Sequence, residues 1–165
     1  MPEHSRCAKK MEIPSRDDWE NAWEGLDEGC AYRNFSGKSL AEAEELFVQC
    51  ALTYQEDLVY MPERPFKYYV RAYIYYMGSK KSKGDSDAAN YFLSLIETHL
   101  RDNPEWFDRT WGQIESVLQR VADQQEEYYD ASKSIYGDFS KKVNRLIGKR
   151  TKAQQDAAGN PLPDM

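Results

Sequence analysis

Histidine and cysteine are scarce in this chain, and each shortage excludes chemistry. In 165 residues there are two histidines, His4 and His99, and three cysteines, Cys7, Cys30 and Cys50. No CxxC pair and no HxxxH, HExxH or ExxH spacing occurs, so no zinc or metal-hydrolase motif is written in the sequence. Odd in number and widely spaced, the cysteines suit reduced thiols better than a disulfide framework. Cys50 is expected to act as a small buried residue. Ser or Cys nucleophiles need a base, and the only histidines lie in an irregular arm (His4) and on an apolar helix (His99). His99 reads as a lone structural histidine.

Glycine loops for phosphate are missing too: neither GxGxxG nor GxxxxGK[ST] is present, and the nine glycines fall mainly in connections. The acidic pairs Glu44/Glu45, Glu56/Asp57 and Glu126/Glu127 are adjacent, so on a helix they diverge by about 100°. Carboxylates brought together by folding stay open. The expectation is a non-catalytic protein with no cofactor and no metal. No apolar run approaches the roughly 20 residues that span a bilayer, and MPEHSRCAKKMEIPSRDDW lacks the apolar block of a secretory signal. A cytoplasmic chain without a membrane contact is therefore expected. Strand-like alternation and internal repeats are also absent.

What is present is aromatic and helical in period. The stretch Leu46–Met77 is the longest apolar region and holds seven of the twelve tyrosines. Ser39 and Glu42 form a capping box at the start of one helix. Along it Leu40, Ala43, Phe47, Cys50, Tyr54, Leu58 and Met61 make one stripe, and Val48, Leu52 and Val59 a second, which predicts a central position. Asp57 falls near the stripe's edge and is expected to reach solvent. Pro62 ends this helix. In the next one Phe66, Tyr69, Val70, Tyr73, Ile74 and Met77 form a core face.

Around this pair the pattern predicts further elements. A short helix opens at the Ser15/Asp18 pair, carries Trp19, Ala22, Trp23 and Leu26, and ends at Gly29, with the loop CAYRNFSGKS after it. GSKKSKG, residues 78–84, reads as a flexible loop. Asp85 or Ser86 caps a helix bearing Ala89, Phe92, Leu93, Leu95, Ile96 and Leu100. Asn103-Pro104-Glu105 starts a long pattern from Trp106 to Leu146, interrupted by the polar Gln125 and Ser132. It is either one helix or two broken near Ser134–Gly137, and Gly148 closes it. Its heptad character leaves both a coiled-coil dimer and packing within one bundle open.

The predicted fold is all-α, a single-domain bundle of five or six helices. Its central helices lie near 39–60 and 63–77, with a long C-terminal helix or helix pair over 104–148. Residues 1–14 read as an irregular arm, 15–149 as the bundle and 150–165 as a disordered tail.

Charge is blocky around a net of −6. Residues 12–57 carry three basic and twelve acidic groups, 64–83 six basic and none acidic, 84–131 three basic and eleven acidic, and 132–165 seven basic and three acidic. Such blocks either pair across the bundle or leave a dipolar surface. One candidate surface stands out: Arg64, Lys67, Tyr68, Arg71 and Tyr75 on one helix, continued by Lys80, Lys81 and Lys83. Cations beside rings hold phosphates and stack bases; alternatively the tyrosines pack and the cations pair with the acidic segments. A second basic stretch, Lys141, Lys142, Arg145, Lys149, Arg150 and Lys152, would reinforce the first if it folded alongside.

Two functions follow as expectations. The first is a helical protein-interaction module, an immunity-type neutralising protein or an accessory subunit, rich in the Tyr, Trp and Arg that dominate interface hot spots. The second is a nucleic-acid-binding accessory protein using the 64–83 surface. Either would act as a monomer or a homodimer.

Overall fold

The computed structural model describes residues 11–159; residues 1–10 of the predicted 1–14 arm and 160–165 of the predicted tail lie outside them. The fold is all-α, with no strand among the described residues. In chain order the helices are α1 (Asp27–Phe35), α2 (Leu40–Val59), α3 (Glu63–Gly78), α4 (Ser86–Asp102), α5 (Trp111–Asp123), α6 (Lys133–Tyr136) and α7 (Phe139–Ala158). A single hydrophobic cluster runs through them from Trp19 to Leu146. Among the described residues no helix is long and apolar enough to cross a membrane.

The central pair is α2 and α3, as the apolar stripes predict, with α4 packed on α2, and α7 against both α4 and α5. Ser39 forms the capping box in full: Glu42 N–H donates to its hydroxyl at 3.2 Å, and Ser39 N–H donates to the Glu42 carboxylate at 3.0 Å. Asp85 caps α4, accepting from Ala88 N–H at 3.0 Å. Phe47 of α2 stacks on Tyr73 of α3 with ring centroids 4.7 Å apart and planes 2° from parallel. Phe92 of α4 meets the same tyrosine edge-on at 5.1 Å.

Tyrosine is abundant here because its hydroxyls reach carbonyls near helix ends and turns. Tyr69 points its hydroxyl at Phe35 O and Lys38 O, 2.7 and 2.8 Å away, where α1 ends. Tyr73 donates to Ala88 O at 2.6 Å in the first turn of α4. Tyr129 donates to Met77 O at 3.1 Å, near the end of α3. A buried ring of this kind contributes apolar area and satisfies a carbonyl at once.

Several expectations need correcting. The single helix at 15–28 is instead two 3₁₀ turns, Asp17–Trp19 and Ala22–Glu24. Glu20 and Asn21 between them are left-handed, with φ 49° and 63°, which no continuing α-helix tolerates. Gly29 does not stop a helix; it is buried inside α1, which takes up most of the predicted loop.

In α2 the backbone breaks at Cys50, with φ −163° and ψ 89°. The break moves the buried stripe on by one residue, so Ala51 and Gln55 face inward and Cys50 is exposed rather than buried. Val48 and Leu52 of the second stripe are uncovered as well. Asp57, expected in solvent, is buried and accepts from Asn34 Nδ2 at 2.7 Å, which ties α2 to α1.

The long C-terminal pattern is broken earlier than Ser134 and more thoroughly. After Asp123 the chain turns through 124–132, passing Asp130 at φ 54°. Gln125, an interruption in the heptads, is buried here: its Nε2 donates to Gly137 O at 2.7 Å and its Oε1 accepts from Phe139 N–H at 2.9 Å. A side chain that satisfies two backbone groups across the turn favours folding back over continuing. The heptad residue Ile135 is left 76% exposed. Gly148 does not close the last helix, and residues 150–158 are helical rather than disordered.

Two measurements check this packing. Phe47→Ala should lower unfolding free energy by about 3–5 kcal/mol through the cavity opened beside Tyr73, and Tyr73→Phe by about 1 kcal/mol through its hydroxyl alone; equal losses in urea titrations would refute the division. Gly148 lies mid-helix, and a Cβ there would meet nothing within 4 Å. Gly148→Ala should therefore raise stability by roughly 0.5–1 kcal/mol, whereas a disordered segment would register no change.

Candidate binding groove

The fold divides the residues proposed for one surface. Tyr68 is buried, with the Arg71 guanidinium 5.9 Å from its ring centre. Arg64 pairs with Asp18 at 3.2 Å, Lys67 with Glu63 one turn earlier, and Lys81 with Glu45 at 3.2 Å. Tyr75, Lys80 and Lys83 are exposed. The second basic stretch does not join this face. Arg145 and Lys149 both reach Glu97 on α4, and Arg150 is buried against the 104–108 segment. Three of the six cations in each basic stretch are thus ion-paired with carboxylates of the same chain.

Arg64 and Lys67 instead contribute to an open groove of about 650 Å³ at one end of the bundle. Three pieces of chain line it, together with Met11: the turn at Asp17, Asp18 and Glu20; the first turn of α3 with Glu63, Arg64 and Lys67; and the segment Glu105, Trp106, Asp108, Arg109 and Thr110. Each piece is fixed locally. Ser15 donates to Asp18 through its backbone N–H at 2.8 Å and its hydroxyl at 3.0 Å. The backbone N–H above all, with the Arg64 guanidinium adding to it, holds the Asp18 carboxyl below the usual carboxylate range. Pro104 opens the 3₁₀ turn Pro104–Phe107. Arg150 anchors this segment from below, donating to Pro104 O and Asp108 Oδ1 at 2.8 Å each, with its guanidinium 5.3 Å from the Trp111 ring centre.

Behind the groove wall lies His99, buried among Phe66, Trp106 and Phe107, with the Phe66 ring centre 4.0 Å away. Neither ring nitrogen has a hydrogen-bond partner among the described residues. Burial pushes its pKa down to about 4, against the Asp102 carboxylate and Leu58 carbonyl that favour protonation. The ring is neutral at pH 7 and walled off from the groove's carboxylates by aromatic rings. Asp57 also departs from its ordinary value: burial pushes it up against the hydrogen bond from Asn34. Cys50, lowered by the Thr53 hydroxyl 3.2 Å from its sulfur, stands exposed at the α2 break. None of these three groups lines the groove. No cluster of three or more His, Cys, Asp or Glu able to hold a metal ion occurs among the described residues.

Comparison with family models, with curated proteins and with solved structures returned no match. Sequence reasoning found Arg64 and Lys67 but missed the groove's other walls, because Asp17, Glu105 and Thr110 come from segments far apart in the chain. The Asn-Pro-Glu start signal at 103–105 was the one local hint of the third wall.

His99 gives the site a pH signature. Its folded pKa of about 4 lies below the ordinary 6.5, so between these values the unfolded chain binds more protons and stability falls as pH drops, levelling off below pH 4. The full loss from this group is about 3 kcal/mol. His99→Leu should remove that component, read as urea midpoints of variant and wild type at pH 7 and 4.5; parallel pH curves would refute it.

Proposed function

We propose that this chain is a non-catalytic protein-interaction module of the cytoplasm, a neutralising immunity-type protein or an accessory subunit, that binds a basic protein partner. The observation that carries this reading is the groove. It is open, its walls are set by internal ion pairs and a proline-led turn, and carboxylates outnumber cations among the residues lining it. A rigid charged recess of this kind steers an oppositely charged partner and fixes its orientation. Exposed apolar side chains support the same reading. Leu26, 82% exposed, stands among Glu24, Asp27 and Glu28, and Val48 and Leu52 lie uncovered on α2. Apolar contacts ringed by charge are the ordinary composition of a protein-binding surface.

The second reading, nucleic-acid binding through the 64–83 surface, has the exposed Tyr75, Lys80 and Lys83 in its favour. Affinity purification of the tagged chain from lysate of its own source, with and without nuclease, separates the two. A protein partner that survives nuclease and is released by raising salt from about 0.05 to 0.5 M, where screening shortens from beyond 10 Å to a few ångströms, fits the interaction module. Recovery that depends on nucleic acid moves the assignment to the 64–83 surface, and recovery of nothing above background rejects both.

A further inference from the structure

The three groove walls differ in what their charges already do. Asp18, Glu63 and Asp108 are engaged by Arg64, Lys67 and Arg150. Asp17, Glu20 and Glu105 are exposed carboxylates with no ion-pair or hydrogen-bond partner for their side chains among the described residues. Trp106 lies beside them, half-buried, its ring packed at 5.5 Å against Phe66 and at 5.4 Å against His99. An aromatic face next to unengaged carboxylates is a receptor for a cation.

An independent observation comes from Thr110, which also lines the groove. It is only 7% exposed, and its buried Oγ1 has no hydrogen-bond partner among the described residues. Although it occupies the cap position of α5, its hydroxyl does not cap that helix. A buried hydroxyl without a partner costs about 1–3 kcal/mol, and an N–H donor that reached it from the groove would satisfy it.

We propose that the groove receives a lysine or arginine side chain from a basic peptide segment of the partner, held by Asp17, Glu20 and Glu105, laid against Trp106 and hydrogen-bonded to Thr110. The inference rests on reading the chain as an interaction module, and it names the chemistry of the partner. Arginine fits best, because a planar guanidinium stacks on an indole while its N–H groups reach carboxylates and a hydroxyl around its edge. Arg109 is the one lining cation without an ion-pair partner among the described residues, and the three unengaged carboxylates outnumber it.

A labelled hexa-arginine peptide titrated into the full chain at about 50 mM salt, where screening is weak, provides the test, with a hexa-glutamine peptide as the neutral control. An acidic protein attracts any polycation, so the decisive comparison is between two charge-matched triple variants. Asp17→Asn/Glu20→Gln/Glu105→Gln removes the groove's unengaged carboxylates. Asp123→Asn/Glu126→Gln/Glu127→Gln removes exposed carboxylates at the far end of α5 and in the turn after it, where the helix end lies roughly 20 Å from its start. The groove triple should weaken hexa-arginine binding by about tenfold or more, and the distal triple by no more than about threefold. Trp106→Leu should weaken it severalfold, with circular-dichroism melts confirming that each variant is folded. In a two-dimensional amide spectrum, hexa-arginine should shift the Trp106 indole N–H and the Thr110 amide.

Equal losses in the two triples, undetectable binding, or shifts confined to other surfaces would overturn the proposal. Its failure is distinguishable from failure of the broader reading. A protein partner whose binding is indifferent to the groove triple rejects the groove and leaves the module. Groove-dependent hexa-arginine binding supports the groove even where no protein partner is recovered.

Discussion

The stack of Phe47 on Tyr73, with the Tyr73 hydroxyl bound to Ala88 O, is the contact on which the remaining packing depends. It joins α2, α3 and α4 at one point, and Tyr69 one turn earlier on α3 binds the end of α1 in the same manner. Burial raises both hydroxyls above the ordinary tyrosine range, that of Tyr73 far above it, so each stays a neutral donor at any physiological pH. A core assembled this way is specified by direction as well as by apolar area. Leucine in these positions would bury similar surface and leave the carbonyls without these donors.

Electrostatics follows from the arrangement that this core imposes. With α3 packed on α2, its Arg64 meets the acidic turn at Asp18, and Lys81, in the turn that follows α3, meets the acidic face of α2 at Glu45. With α7 against α4, Arg145 and Lys149 converge on Glu97. Exposed pairs of this kind are worth little individually, typically under about 1 kcal/mol. Their consequence lies in the surface they leave: half of each basic stretch is engaged internally, and the unengaged charge of the groove is mainly acidic.

The groove draws its rigidity from Arg150. This guanidinium is buried, stacked near Trp111 and bonded to a backbone carbonyl and a carboxylate of the 104–108 segment. Trp106 and Thr110 are held in place by that anchor and by the Phe66–His99–Phe107 cluster behind them. Recognition by a preformed site avoids the cost of ordering it on binding. The same enclosure leaves His99 without the solvent access and partners that a general base requires.

Local patterning alone specifies the helical class, the central pair, the inward face of α3, the cap at Ser39 and, to within one residue, the cap of α4. These follow from period and from hydrogen bonds spanning three or four residues, which local order encodes. The remaining features arise from how the helices dock. Cys50 left the core because α2 breaks beside it, and Gln125 became a buried bracket because its two backbone partners lie 12 and 14 residues onward. The candidate surface was split, and a groove formed from residues 17–20, 63–67 and 105–110. Contacts at such separations depend on how helices dock, and a chain read one segment at a time carries no record of that geometry.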